Sequence, residues 1–159
     1  MQTIHIFSDD VSPSQTWMLL EWCWGNGASE FTLERMGFAD SASPLCDEFE
    51  AVLGSYRLSD AAREHLTAPT REEVIRLTQL WRLCAESMSL LKTYLKDGLF
   101  TSPTYSDEGW FEDPAFYRSG NLILGIVSHE MEGVALVTPD EASQIASLGI
   151  QSRPRAEWI

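Results

Sequence analysis

The chain has 159 residues, 24 acidic side chains against 11 basic ones, a formal net charge of −13 and 44% hydrophobic residues. That length can bury a core without disulfides or metal, and 22% charged residues is too few for a solvating disordered chain. The acidity excludes phosphate-driven binding of nucleic acid and attraction to anionic membranes, both of which need clustered Lys and Arg; it favours a basic protein partner.

Taken in order, Thr3-Ile4-His5-Ile6-Phe7 is β-branched and aromatic and predicts an opening strand. Ser14 to Trp24 predicts a helix capped by Ser14, with Trp17, Leu20 and Trp24 at helical spacing, and Gly25-Asn26-Gly27 stops it. Phe31 and Leu33 alternate with Thr32 and Glu34, as a short strand does. Short helices are predicted for Leu45–Leu53 and for Ser59–Leu66.

Thr70 and Glu73 form a capping-box pattern, and Val74, Leu77, Trp81, Cys84, Met88, Leu91 and Leu95 follow at alternating spacings of three and four. This predicts one long central helix ending at Gly98, about 40 Å long at 1.5 Å per residue. From Leu99 to Ser119 periodicity vanishes around Pro103, Gly109 and Pro114, which predicts a long loop or a loop with one short turn of helix. Asn121–Ser128 and Val134–Val137 read as two strands of a hairpin, joined through His129-Glu-Met-Glu-Gly133. Thr138-Pro139-Asp140-Glu141 opens a last helix with a cap, a first-position proline and a second capping box.

The expected architecture is therefore α+β: a small mixed or antiparallel sheet with a hairpin in the C-terminal half, packed against one long central helix and several short helices. Residues 1–159 are expected to form a single domain, with a mobile tail from about 152 to 159. Met1–Asp10 lacks the basic and apolar regions of a signal peptide, and no apolar run reaches the length of a membrane span. The odd set Cys23, Cys46 and Cys84, with no CxxC spacing, is expected as free thiols in a reducing cytoplasm.

Charge is unevenly spread. Arg57 to Lys96 holds seven basic and five acidic residues, whereas the remainder holds nineteen acidic and four basic. Asp107-Glu108-Gly109-Trp110-Phe111-Glu112-Asp113 sets two large aromatics among four carboxylates, and Glu130 and Glu132 sit in the predicted hairpin turn. Aromatic anchors inside a charged rim suit a protein interface, since the rings supply burial and the rim supplies steering. The same rings could instead peg a long loop to the core.

No catalytic, metal or cofactor motif emerges. His5, His65 and His129 lack ligand spacing, and in an extended turn His129 would face away from Glu130 and Glu132. Cys84 falls on the apolar stripe and Cys23 between two tryptophans, as core thiols would. Cys46, at a helix start, has only that position in favour of reactivity. Trp17, Trp22, Trp24 and Trp81 suit a core better than a ligand cage.

The chain thus has the compositional character of small acidic antitoxin-like or immunity proteins, which neutralise a basic partner by covering its cationic surface. The expectation is a non-catalytic protein-binding module acting through Asp107, Glu108, Trp110, Phe111, Glu112, Asp113, Glu130 and Glu132. Two alternatives stand beside it. One is a small enzyme or ligand-binding domain with an aromatic and carboxylate pocket; the other is a homodimer or larger scaffold seamed by the long helix.

Overall fold

A row of paired residues, Ile4, Ala135, Leu124, Phe116, Phe31 and Trp81, crosses six neighbouring strands and forms the spine of the main core. The computed structural model describes residues 1–67, 72–95, 97–100 and 106–154. The strands are β1 (Gln2–Phe7), β2 (Ala28–Met36), β3 (Ala61–Thr67), β4 (Glu72–Thr78), β5 (Trp81–Arg82), β6 (Trp110–Arg118), β7 (Asn121–Val127), β8 (Glu132–Val137) and β9 (Arg153–Pro154). The helices are α1 (Pro13–Gly25), α2 (Pro44–Leu53), α3 (Ala85–Tyr94) and α4 (Pro139–Ser147). Seven strands form one sheet in the order β5-β2-β6-β7-β8-β1-β9, with every pairing antiparallel, and β3 and β4 form a separate hairpin. The fold is α+β, and no described helix is long and apolar enough to cross a membrane.

Strand alternation gives the sheet two different faces. Residues of the helices pack on the face of the spine row: Leu19, Leu20 and Cys23 of α1, Phe49 and Leu53 of α2, Met88 and Leu91 of α3, and Ile145 of α4. Phe31 stacks on Trp81 at 5.9 Å and meets Phe116 at 6.2 Å, so large rings fill the middle of this layer. Gly133 belongs to the same layer, opposite Ile6 and Ile126. A Cβ there would collide with the Phe100 ring and lie 3.1 Å from Ile126 Cδ1. Gly133→Ala is therefore expected to lower stability by about 1–3 kcal/mol, read as a lower urea midpoint with unchanged slope.

The other face carries the parallel row His5, Val134, Gly125, Ala115 and Thr32. The β3–β4 hairpin packs on it. Leu66, with Leu80 and Leu58, joins Ala115, Tyr117 and Leu122 in a second apolar cluster. Arg63 and Arg76 are directly opposed across the hairpin, and β2 separates their charges: Arg63 makes a bidentate pair with Glu30 at 3.0 and 3.1 Å, and Arg76 pairs with Glu34.

Several expectations need correction. The long central helix does not exist. Val74 and Leu77 lie on β4, Trp81 on β5, Cys84 caps α3, and only Met88 and Leu91 keep their place on a buried helical stripe. The coincidence of spacing hid a β-branched segment, Val74-Ile75 to Thr78, whose hydrogen bonds are satisfied by β3. Ser59–Leu66, read as helix, supplies that partner strand. Thr70, the predicted cap, lies outside the described residues. With the helix gone, a homo-oligomer seamed along it loses its structural basis.

The predicted loop 99–119 contains β6, the central partner of β2 and β7. Pro114 sits where the β2–β6 register shifts, so the strand tolerates a residue without an N–H. The first helix is capped by Ser12 through a box with Gln15, two residues earlier than Ser14. The C-terminal hairpin and the Thr138–Glu141 capping box are present as predicted. Of the expected tail, Arg153 and Pro154 pair with β1, and residues 155–159 lie outside the described residues.

Candidate functional site

The acidic-aromatic segment enters the structure as a turn followed by the first half of β6. Ser106 to Gly109 turn on a bond from Gly109 N–H to the Ser106 carbonyl, and Leu45 N–H donates to the Glu108 carbonyl. Gly109 has φ +91°, and a Cβ there would sit 2.8 Å from both Cys46 Sγ and Ser43 Cβ. The absence of a side chain lets the turn lie against the start of α2, with Asp107 and Glu108 exposed.

The aromatics that follow are held in different ways. Phe111 is half-buried and meets Phe49 edge-on at 5.0 Å, while Phe49 stacks on Tyr94 at 4.4 Å. Trp110 is also half-buried. Its ring tilts against the exposed Phe38 at 5.2 Å, and its indole N–H donates to Glu112 Oε1 at 3.0 Å. Phe111 is thus a peg, and Trp110 with Phe38 forms a partly solvent-facing aromatic pair.

The carboxylates divide as well. Glu112 is 3% exposed and bridges the Trp110 indole to His129 Nε2 at 3.2 Å. Glu132 is fully buried and hydrogen-bonds His5 Nδ1. Asp113, at φ +50°, exchanges two bonds with Ser128: its N–H donates to the hydroxyl at 2.9 Å, and its Oδ1 accepts from the Ser128 amide at 2.8 Å. Burial raises the Asp113 pKa, partly opposed by that Ser128 amide. Glu130 remains exposed in the turn between β7 and β8. The structure therefore gathers Asp107, Glu108, Trp110 and Phe111 in one place. It draws Glu112, Asp113 and Glu132 inward, away from a partner's reach, and leaves Glu130 exposed on a turn that is joined to β6 through the neighbouring Ser128 and His129.

Sequence reasoning missed the other wall. A cleft of about 470 Å³ opens between the start of α2, the end of α3 and the start of β6, lined by Leu45, Glu48, Tyr94, Asp97, Trp110 and Phe111 among others. Tyr94 donates its hydroxyl to Glu48 Oε1 at 2.9 Å, and this hydrogen bond raises the tyrosine pKa. Glu48, Asp97, Asp107 and Glu108 are exposed, and none has a cationic partner among the described residues. Glu48 could have been flagged from the predicted helix Leu45–Leu53, where it falls on the polar face beside Phe49. Asp97 was absorbed into the long helix.

The cations, by contrast, are engaged. Arg35 pairs with Asp47 and Glu50, Arg57 with Asp60, Lys92 with Glu21 and Arg118 with Glu141, while Arg82 and Arg153 lie over the rings of Tyr56 and Phe7.

Burial works against thiolate formation at Cys23 and Cys46. Burial pushes Cys23 up to about 12 and raises Cys46 despite its position at the start of α2. Cys84 is half-buried rather than core, and all three are free. Trp81 belongs to the main core, Trp17 and Trp22 are partly buried against that core, and Trp24 is exposed. No group of three or more His, Cys, Asp or Glu side chains among the described residues is placed to hold a metal ion.

Fold and site together define a helix-backed antiparallel sheet with an acidic, aromatic-lined cleft beside β6. No family model, curated protein or solved structure matches the chain.

Proposed function

We propose that this protein is a non-catalytic, acidic binding module that neutralises or regulates a basic partner protein, in the manner of an immunity protein or antitoxin. The observation that carries this reading is the asymmetry of ion pairing. Every described Lys and Arg is bound to a carboxylate or an aromatic ring, whereas Asp107, Glu108, Glu48 and Asp97 stand exposed around half-exposed aromatics. A negative rim with no cationic partner among the described residues steers a cationic surface toward the chain, and an aromatic pair such as Phe38 and Trp110 offers area to bury on contact.

The test is affinity capture from lysate of the source cells, with the wild type compared with an Asp107→Asn, Glu108→Gln, Trp110→Ala variant. Circular dichroism should show the variant folded. The expected result is one stoichiometric basic protein, held at 50 mM salt, released as salt rises, and about tenfold or more weaker on the variant. Retention indifferent to both salt and variant would overturn the reading.

The cleft favours a second reading, a ligand-binding domain, because its volume falls within the range of small-molecule sites. A small molecule copurifying with the protein and displaced by Tyr94→Ala would support it.

A further inference from the structure

Resting on the binding-module reading, we infer that the cleft between α2, α3 and β6 receives a single lysine or arginine side chain of the basic partner. The argument is one of matched chemistry. Leu45, Leu95 and Phe111 give the cleft apolar walls, and Glu48 and Asp97 line it while remaining exposed to solvent. Lys and Arg have the same division: an aliphatic stem that gains from burial and a charged head that does not.

Other occupants fit less well. A neutral apolar group would desolvate both carboxylates and return no hydrogen bond, and an anion would be repelled. The hydrogen bond from Tyr94 fixes Glu48 at the wall through Oε1, leaving Oε2 for an incoming donor. The Tyr94 ring is itself braced by stacking on Phe49 at 4.4 Å with a 17° tilt, so the receiving carboxylate is held on a rigid support. Aromatic walls add the attraction of a π-face for a cation.

The experiment is a titration of the isotope-labelled full chain with acetyl-arginine N-methylamide, followed by amide and indole resonances. The citrulline counterpart, neutral and nearly the same shape, is the control. Saturable shifts at Tyr94, Leu95, Gly109 and the Trp110 indole are expected, about tenfold weaker or more with citrulline, since one charge-assisted contact pair is lost. A Glu48→Gln, Asp97→Asn variant should keep the folded spectrum and lose the arginine response. Equal response to citrulline, an undiminished response in the variant, or shifts spread over all acidic surfaces without saturation would each overturn the inference. Its failure is separable from that of the parent reading. If wild type and the cleft variant capture a basic partner equally, the module stands and the cleft does not. If arginine saturates the cleft but lysate capture is indifferent to salt, the cleft stands and the module does not.

Discussion

His5→Ala is expected to lower stability by about 3–5 kcal/mol, enough to unfold a marginally stable domain at modest urea concentration. The substitution takes the imidazole away from Glu132, whose side chain is fully buried on β8 opposite Phe7. The Glu132 side chain in that position has then lost a hydrogen-bonding partner and cannot turn to solvent. The control is the double variant His5→Phe, Glu132→Leu. Replacing both members with apolar groups removes the desolvation penalty together with the pair, so much of the lost stability should return. A urea-denaturation cycle over wild type, both single variants and the double variant measures this. A single variant as stable as wild type, or a double variant no better than the singles, would show that the pair does not hold β1 to β8.

The second large effect concerns pH and the β3–β4 hairpin. His65 is a buried residue of that hairpin's β3, and burial, reinforced by the charge of Arg76, lowers its pKa from 6.5 to about 4. Its hydrogen bonds fix the neutral form. Arg76 donates to Nδ1 at 3.2 Å, so Nε2 carries the proton and donates to Thr78 Oγ1 at 2.7 Å, and the Thr78 hydroxyl donates onward to the Arg76 carbonyl. Tyr117, whose hydroxyl donates to the Glu64 carbonyl at 2.8 Å, closes the same pocket, and Glu34 faces it through its pair with Arg76.

Since the unfolded imidazole binds its proton near 6.5 and the folded one only near 4, stability is complete above 6.5 and falls as pH drops between those values. The slope approaches 1.4 kcal/mol per unit, or about 3 kcal/mol in all. Below pH 4 no further loss comes from this group. Many carboxylates titrate in the same range, so the measurement is a difference: urea midpoints from pH 7 to 4 for wild type and His65→Gln. The variant should start less stable and lose less stability as pH falls. Parallel curves would show that His65 is not the titrating group.

The parts of the fold that were legible in the sequence are those where local chemistry and tertiary structure agree. Thr138, Pro139 and Glu141 specify a helix start by hydrogen bonds within four residues, and Asn121–Val137 pairs with its own neighbour across a short turn. The segment from Ser59 to Tyr94 was illegible because two signals overlap in it. Its apolar residues fall at helical spacing, yet Val74, Ile75 and Leu77 are largely exposed on β4, so their spacing says nothing about the core. What decides the conformation is pairing with β3 and the docking of Arg63 and Arg76 on Glu30 and Glu34, which a reading of one segment at a time cannot see.

The same distinction governs the site. Asp107 and Glu108 beside Trp110 stood out as a cluster in sequence and remain one in space. Glu112 and Glu132 looked equivalent to them, yet strand alternation turned both to the buried side, toward Trp110, His129 and His5. Asp97 and Glu48 come from separate helical regions, and only the packing of α2 and α3 brings them to one cleft.

The placement of β1 between β8 and β9 has a consequence for biosynthesis. His5 and Glu132 stand 127 positions apart, so β1 has no partner in the sheet until the chain has been made through β8. Closure of the sheet is thus a late, long-range event, and such contacts slow folding. Until then the nascent molecule exposes Ile4 and Ile6 along an unsatisfied edge, a target for chaperones and for association with other incomplete copies.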